Sequence, residues 1–167
     1  MKIEIDITKY KFSAILQIVV TIILAFCLII SFILEAHKMI MFLYLIAVII
    51  IIFSNKYLHE GCHYIIGRLQ GFQCQIKFGL KMSECRVLGT QNYKQVIALS
   101  LAPLYVYLPI ILIILLSGAT NSLKFLSFGV FGLLMGGMAG DFIYVYEAFR
   151  NKKGMFNDTG HILLIEK

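Results

Sequence analysis

The chain has 167 residues, of which 60% are apolar and 14% are charged, whereas roughly 25% are charged in a typical soluble domain. This composition excludes an ordinary soluble domain and predicts a single multi-pass membrane domain over residues 1–167. The net charge of +6 comes from basic residues that flank apolar runs, and no nucleic-acid motif accompanies them. A nucleic-acid partner is therefore not expected.

Four apolar runs, at about residues 12–34, 39–66, 96–117 and 123–149, are each long enough to cross a hydrocarbon core of ~30 Å. We predict four transmembrane helices. The first is interpreted as a retained span, because it is longer than the apolar region of a signal peptide. Pro103 and Pro109 predict a bend in the third span over an internal cavity, because each leaves one carbonyl, that of Leu99 or Tyr105, without its helical partner.

The connection between the second and third runs predicts a small β-hairpin. Apolar and polar residues alternate from 72 to 82, and residues 84–88 could return as the partner strand. Ile3, Ile5 and Ile7 also alternate and indicate another strand. The hairpin could pack only on the helices or could pair with an extended substrate, and both readings stay open. The predicted fold class is thus mainly α, integral to the membrane, with a hairpin on the cytoplasmic side.

Basic residues are concentrated in the N-terminal segment, the 67–95 connection and the C-terminal tail. The two short connections carry only Lys38 and Lys124. The positive-inside rule therefore predicts a protein of the cell membrane with both termini and the 67–95 connection in the cytoplasm. Membrane lipid is an expected partner, and the oligomeric state does not follow from the sequence.

An H-E-x-x-H sequence formed by His59, Glu60 and His63 lies at the end of the second run. On a helix, positions i and i+4 share one face, so the two imidazoles could bind one metal ion. The glutamate beside the first histidine could act as general base toward a water on that metal. The alternative is a polar helix end whose histidines bond to lipid headgroups or backbone.

Asp141 is the predicted third ligand. The separations from Asp141 to Arg150 and from His59 to Arg68 are equal, so both side chains should lie at a similar depth if their spans run in the same direction. Zinc accepts histidine and carboxylate ligands and keeps an open position in catalytic sites. The alternative is a buried carboxylate paired with Lys56.

Five other features are weaker candidates. Glu147 is predicted to be a solvated helix end, and the Asp-Thr-Gly triplet at 158–160 is predicted to be a turn. His37 falls in an outer loop, away from the predicted metal. His161 lies in the tail with nothing further to support it. Cys62 lies between the two histidines and should point to another side of the helix.

These motifs resemble a bacterial family of small zincin-type membrane peptidases, formerly a domain of unknown function. The resemblance covers about residues 45 to 165. It rests on H-E-x-x-H at 59–63, Lys-Phe-Gly at 77–79, Ala-Leu-Ser-Leu-Ala-Pro at 98–103, Gly-Asp at 140–141 and the triplet at 158–160. Such families resemble site-2-type intramembrane metalloproteases. The resemblance implies Zn²⁺ held by His59, His63 and Asp141, with Glu60 as the catalytic base.

The sequence thus predicts a zinc metallopeptidase that hydrolyses a peptide bond in a membrane protein or membrane-associated peptide near the cytoplasmic face. The alternative is a non-catalytic membrane protein, regulatory, immunity or partner-binding, that retains a metal site. Glu60 favours the enzyme, because a structural metal site has no use for a free glutamate beside it. A metal transporter is disfavoured, since the outer halves of the spans are almost wholly apolar.

Overall fold

The computed structural model describes residues 2–6, 11–34, 37–79, 83–160 and 162–166. Within these residues the helices are α1 (Lys11–Leu34), α2 (Lys38–Leu69), α3 (Tyr93–Ser100), α4 (Ala102–Leu116), α5 (Asn121–Gly137) and α6 (Ala139–Arg150). The strands are β1 (Lys2–Asp6), β2 (Gln73–Lys77), β3 (Glu84–Leu88), β4 (Met155–Asp158) and β5 (Ile162–Glu166). The mainly helical fold class, with a hairpin between the second and third helices, is confirmed.

Two helices are long and apolar enough to cross a membrane. They are α1, with a mean hydropathy of 2.9, and α2, with a mean hydropathy of 2.2. Two further candidates are bent pairs, α3 with α4 at 42° and α5 with α6 at 56°. The described residues therefore provide two candidate membrane spans, or four if each bent pair is one span.

The predicted bend in the third span lies at Leu101, between α3 and α4. Pro103 follows within the first turn of α4, where a missing N–H costs least. Pro109 lies inside α4, which continues through it to Leu116. The second proline was predicted to contribute to the bend, and it does not break the helix.

The break in the fourth span, at Met138, was not predicted. Gly136 and Gly137 end α5 just before it, and glycine has a low helix propensity. Gly136 also lets α5 approach α1, because a Cβ built there would lie 3.0 Å from Cγ1 of Val20. A small residue at this position is what allows the two helices to approach so closely.

The predicted hairpin forms from β2 and β3, which pair antiparallel with Lys77 opposite Glu84. The return strand occupies the predicted residues 84–88. Strand β2 ends at Lys77, and the predicted strand positions 80–82 lie outside the described residues. The Phe78 ring lies 4.7 Å from the Tyr57 ring, so the hairpin runs back along α2 toward the middle of that helix.

A second sheet joins the two ends of the chain in the order β1-β5-β4, with both pairings antiparallel. The N-terminal strand was predicted, although Ile7 lies outside the described residues, whereas β4 and β5 were not predicted. Apolar residues of β4 and β5 pack against α3 and α6 in one buried cluster: Val96, Tyr144, Ala148, Phe156, Leu163 and Ile165. This cluster attaches the sheet to the helix that carries Asp141.

Candidate metal centre

His59 and His63 lie on one face of α2, as their spacing predicts. Their Nε2 atoms are 3.1 Å apart, and their side chains are both 12% exposed. The two rings meet edge to face with centroids 4.7 Å apart. Nothing lies within 4 Å of a Cβ built on Gly61, which lies between them. Packing therefore does not require a glycine at this position.

Asp141 reaches both histidines from the first turn of α6. Its Oδ2 lies 3.2 Å from Nε2 of His59, and its Oδ1 lies 3.4 Å from Nε2 of His63. The break at Met138 places Asp141 at a helix N-terminus, where the helix dipole stabilises negative charge. The alternative partner, Lys56, instead has its Nζ 5.0 Å from the centroid of the Tyr57 ring.

The three side chains fit one metal ion. Each offers a ligand atom, and these atoms all lie within 4.8 Å of one another. A tetrahedral zinc with ligand bonds of about 2.0–2.1 Å has ligand atoms about 3.3 Å apart. The two Nε2 atoms are 3.1 Å apart, and each lies 3.2 or 3.4 Å from a different oxygen of Asp141, so the separations are of that order. Apart from its approach to His59, Oδ2 of Asp141 is buried without a hydrogen-bond partner among the described residues, and a cation would satisfy it.

A backbone contact orients His63. Its Nδ1 lies 2.9 Å from the carbonyl oxygen of Leu99. A carbonyl only accepts, so Nδ1 is assigned the proton, and Nε2 is the nitrogen that a neutral ring would offer to a metal ion. This is the arrangement by which proteins hold metal-binding histidines. Nδ1 of His59, in contrast, is buried with no hydrogen-bond partner in the described part of the chain, and we have no physical account of it.

Glu60 lies beside the three candidate ligands without joining them. The group of residues able to share one ion contains His59, His63 and Asp141. The Glu60 carboxyl is close enough to all three for charge interaction, and it lies near the backbone of Cys85 in β3. The hairpin therefore borders the site at the position of this carboxyl.

The Asp-Thr-Gly triplet forms the turn between β4 and β5, as the sequence predicts. The N–H of Gly160 donates to Oδ1 of Asp158 at 2.8 Å, and Tyr144 of α6 donates its hydroxyl to the Gly160 carbonyl at 3.1 Å. Burial raises the pKa of the Asp158 carboxyl to about 7. Tyr144 lies one helical turn after Asp141, so the β4–β5 turn is bonded directly to the helix that carries the candidate third ligand.

A polar pair one turn before His59 was not singled out from the sequence. Tyr107 of α4 is buried and donates its hydroxyl to Oδ1 of Asn55 at 3.1 Å. Asn55, His59 and His63 follow the i, i+4, i+8 spacing on α2, which was the available signal. This hydrogen bond connects α2 to α4, the helix that begins shortly after Leu99.

The structure corrects the prediction for Glu147 and shows where Cys62 and His37 lie. Glu147 was predicted to be solvated, but it is buried, and Nδ2 of Asn151 donates to its Oε2 at 3.1 Å. Cys62 is buried on α2 and adjoins Tyr107. His37 precedes α2 at the end opposite to His59, and His161 lies outside the described residues.

No protein-family model, no curated protein and no solved structure matches this chain. The geometry alone establishes a candidate His-His-Asp metal group in a chain with candidate membrane spans.

Proposed function

We propose that this chain is a membrane-embedded zinc metallopeptidase that hydrolyses a peptide bond in a membrane protein or membrane-associated peptide. The observation that carries the proposal is the convergence of His59, His63 and Asp141 from two separate helices, with Glu60 beside them and outside their group. The proposed resemblance to zincin-type membrane peptidases assigns the same roles to these residues.

The roles divide between holding a cation and moving a proton. His59, His63 and Asp141 would hold the zinc, which when bound polarises a carbonyl and lowers the pKa of a water molecule. Glu60 accepts a proton from the attacking water and later gives it to the leaving amine. The backbone of Cys85 in β3, which lies near the Glu60 carboxyl, would help to position it for this transfer.

The surroundings of the site support a peptide substrate in extended form. The metal group lies within two candidate membrane spans, and strand β3 borders it beside Glu60. A strand offers backbone donors and acceptors to an extended segment, which is a common way of recognising peptides. An extended segment would also expose its peptide bond, which a helix would hide in its own hydrogen bonds.

The test compares wild type, Glu60→Gln, His63→Ala and the control Glu4→Gln, which removes an exposed carboxylate. Zinc content is measured by elemental analysis, and cleavage is measured by mass spectrometry on a panel of membrane-derived peptides. We expect wild type and Glu4→Gln to hold zinc and cleave. Glu60→Gln should keep zinc and lose about 10²–10⁴-fold in rate. His63→Ala should lose both.

Two outcomes would contradict the proposal. If the wild type binds no zinc under conditions that preserve its fold, zinc is not its cofactor. A zinc-loaded wild type that cleaves no peptide faster than Glu60→Gln would instead favour the non-catalytic membrane protein that retains a metal site.

A further inference from the structure

A cleft follows directly after α6, at the end of the fourth candidate span. It has a volume of about 650 Å³ and is lined by Phe149, Arg150, Asn151, Lys152, Lys153 and Gly154. Arg150, Lys152 and Lys153 are all exposed. Three cationic side chains therefore surround one concavity at a helix end, a feature that plays no part in the proposed peptidase chemistry.

The cleft has a fixed base. Asn151 is buried, and its Nδ2 donates to the carbonyl oxygen of Glu147 at 3.0 Å and to Oε2 of the same residue at 3.1 Å. The N–H of Gly154 donates to the Asn151 carbonyl at 2.8 Å. A Cβ on Gly154 would lie 2.8 Å from Cγ2 of Ile165, so the turn also packs closely on β5. These contacts hold the backbone from which the three cations project.

The cations of the cleft have no carboxylate partner among the described residues. Glu166, which lies near the turn on β5, is paired with Lys2 at 2.9 Å. Glu147 is turned inward toward Asn151. No carboxylate of the described residues therefore neutralises the positive charge of the cleft, and an anion would complement it.

Apolar groups border the same cleft. The Phe149 side chain is 53% exposed, and Nζ of Lys152 lies 5.8 Å from the centroid of its ring. Tyr146 and Met155 are also exposed nearby. An anionic site beside exposed apolar and aromatic side chains, at the end of a candidate span, matches a molecule with a charged headgroup and acyl chains.

We propose that the cleft formed by Phe149, Arg150, Lys152 and Lys153 binds the headgroup phosphate of an anionic phospholipid. The phosphate lies among the three cations, and the adjoining apolar side chains contact the glycerol backbone and the start of the acyl chains. General positive-inside charge would attract anionic lipid without a defined stoichiometry. The cleft predicts saturable binding that depends on these particular residues.

The test uses the full chain purified in a neutral detergent. Short-chain dioctanoyl phosphatidylglycerol is titrated while the unfolding temperature and native mass spectra are recorded. Parallel titrations use dioctanoyl phosphatidylcholine, glycerol phosphate and inorganic phosphate. We expect saturable binding and stabilisation with phosphatidylglycerol only, weakened by added salt because the contacts are exposed charges.

The variants distinguish lipid binding in this cleft from attraction of lipid by the total charge of the protein. Lys152→Gln/Lys153→Gln should weaken phosphatidylglycerol binding about tenfold or more, because each basic residue near an anionic surface contributes measurably. Lys77→Gln/Lys94→Gln removes the same charge from exposed positions outside the cleft and should leave binding unchanged. Lys152→Arg/Lys153→Arg should retain it, which shows that the turn still folds when both lysines are replaced.

Three results would overturn the proposal. If phosphatidylcholine binds as tightly as phosphatidylglycerol, the lipid is held by apolar contacts alone and the anionic headgroup is not recognised. Equal stabilisation by glycerol phosphate or inorganic phosphate would show a free-anion site and no lipid site. Equal weakening by the Lys77→Gln/Lys94→Gln control would show attraction by net charge alone.

Discussion

The Nδ1 atom of His63 lies 2.9 Å from the carbonyl oxygen of Leu99. In an uninterrupted helix this carbonyl would accept from the residue four positions later, which is Pro103 and has no N–H. The proline therefore leaves an acceptor free at the level of the metal group. Because the acceptor fixes the tautomer of His63, a residue of α4 contributes to the site without touching it.

Replacing Pro103 with alanine should weaken metal binding. The new N–H competes with His63 for the Leu99 carbonyl, and loss of such a supporting contact typically lowers metal affinity about 10–100-fold. Zinc affinity is measured by competition with a chromophoric chelator. Pro109→Ala, in the same helix but further from the break, should leave affinity unchanged. Equal affinity of wild type and Pro103→Ala would show that the contact does not support the ligand.

Removing zinc should destabilise the protein. An ion that binds only the folded state stabilises it by about 2.7 kcal/mol when its free concentration is 100 times the dissociation constant. Chelation should lower the unfolding temperature, and added zinc should restore it. Asp141→Asn should lose this response. Glu147→Gln, which changes another buried carboxyl of α6, should keep it, and a loss there would point to general damage to the helix.

Asp158 should make stability fall as the pH rises. Burial raises the pKa of its carboxyl from the ordinary value of 3.8 to about 7, so the folded state binds the proton more tightly than the unfolded state. The contribution is fully present below about pH 4 and is lost as the pH rises through about 7. Asp158→Asn should flatten this slope and should be more stable than wild type at pH 8 by about 1–3 kcal/mol, the cost of a poorly satisfied buried polar group.

Thermal unfolding between pH 4 and pH 8 measures the slope for wild type, Asp158→Asn and the exposed control Glu4→Gln. The comparison is the difference between variants at each pH, which cancels the contribution of other titrating groups. A wild type and Asp158→Asn pair with parallel profiles would place the Asp158 pKa near its ordinary value.

Gly160→Ala should destabilise the β4–β5 turn. Gly160 has a φ of +103°, and a Cβ there would collide with the carboxylate of Glu84. Side chains at such a backbone angle cost roughly 1–2 kcal/mol before the collision is counted. Gly118→Ala is the matched control, because nothing lies within 4 Å of a Cβ at that glycine. Unfolding temperatures of the two variants should differ clearly, and similar values would show that the turn adapts freely.

The candidate metal group of His59, His63 and Asp141 could be predicted from the sequence because its signals are local. His59 and His63 are one helical turn apart, and Asp141 is an unusual residue within an apolar run. The hairpin was predicted for the same reason, since alternation of apolar and polar residues is visible over a few positions. The zinc, the peptidase reaction, the single domain and the orientation with cytoplasmic termini remain predictions.

What could not be predicted depends on contacts between distant parts of the chain. Burial of Glu147 requires the turn that follows α6, which places the Asn151 amide against it. The glycines before the break at Met138 include Gly136, which lies against Val20 of α1, and the sequence near Gly136 does not reveal this contact. The pairing of β1 with β5 joins segments that are far apart in the sequence. The local pattern of either strand does not identify the strand with which it pairs.

That pairing has a consequence for the order in which the protein is made. Strand β1 is synthesised before its partner β5, which follows the six helices of the described residues, so β1 cannot pair with β5 while the candidate spans enter the bilayer. The buried cluster between the sheet and α6 can close only once β5 has left the ribosome. Because Tyr144 of α6 then bonds to the turn before β5, the helix that carries Asp141 receives this support only after β5 has been made. A nascent chain would thus complete its membrane helices before it could hold a metal ion firmly.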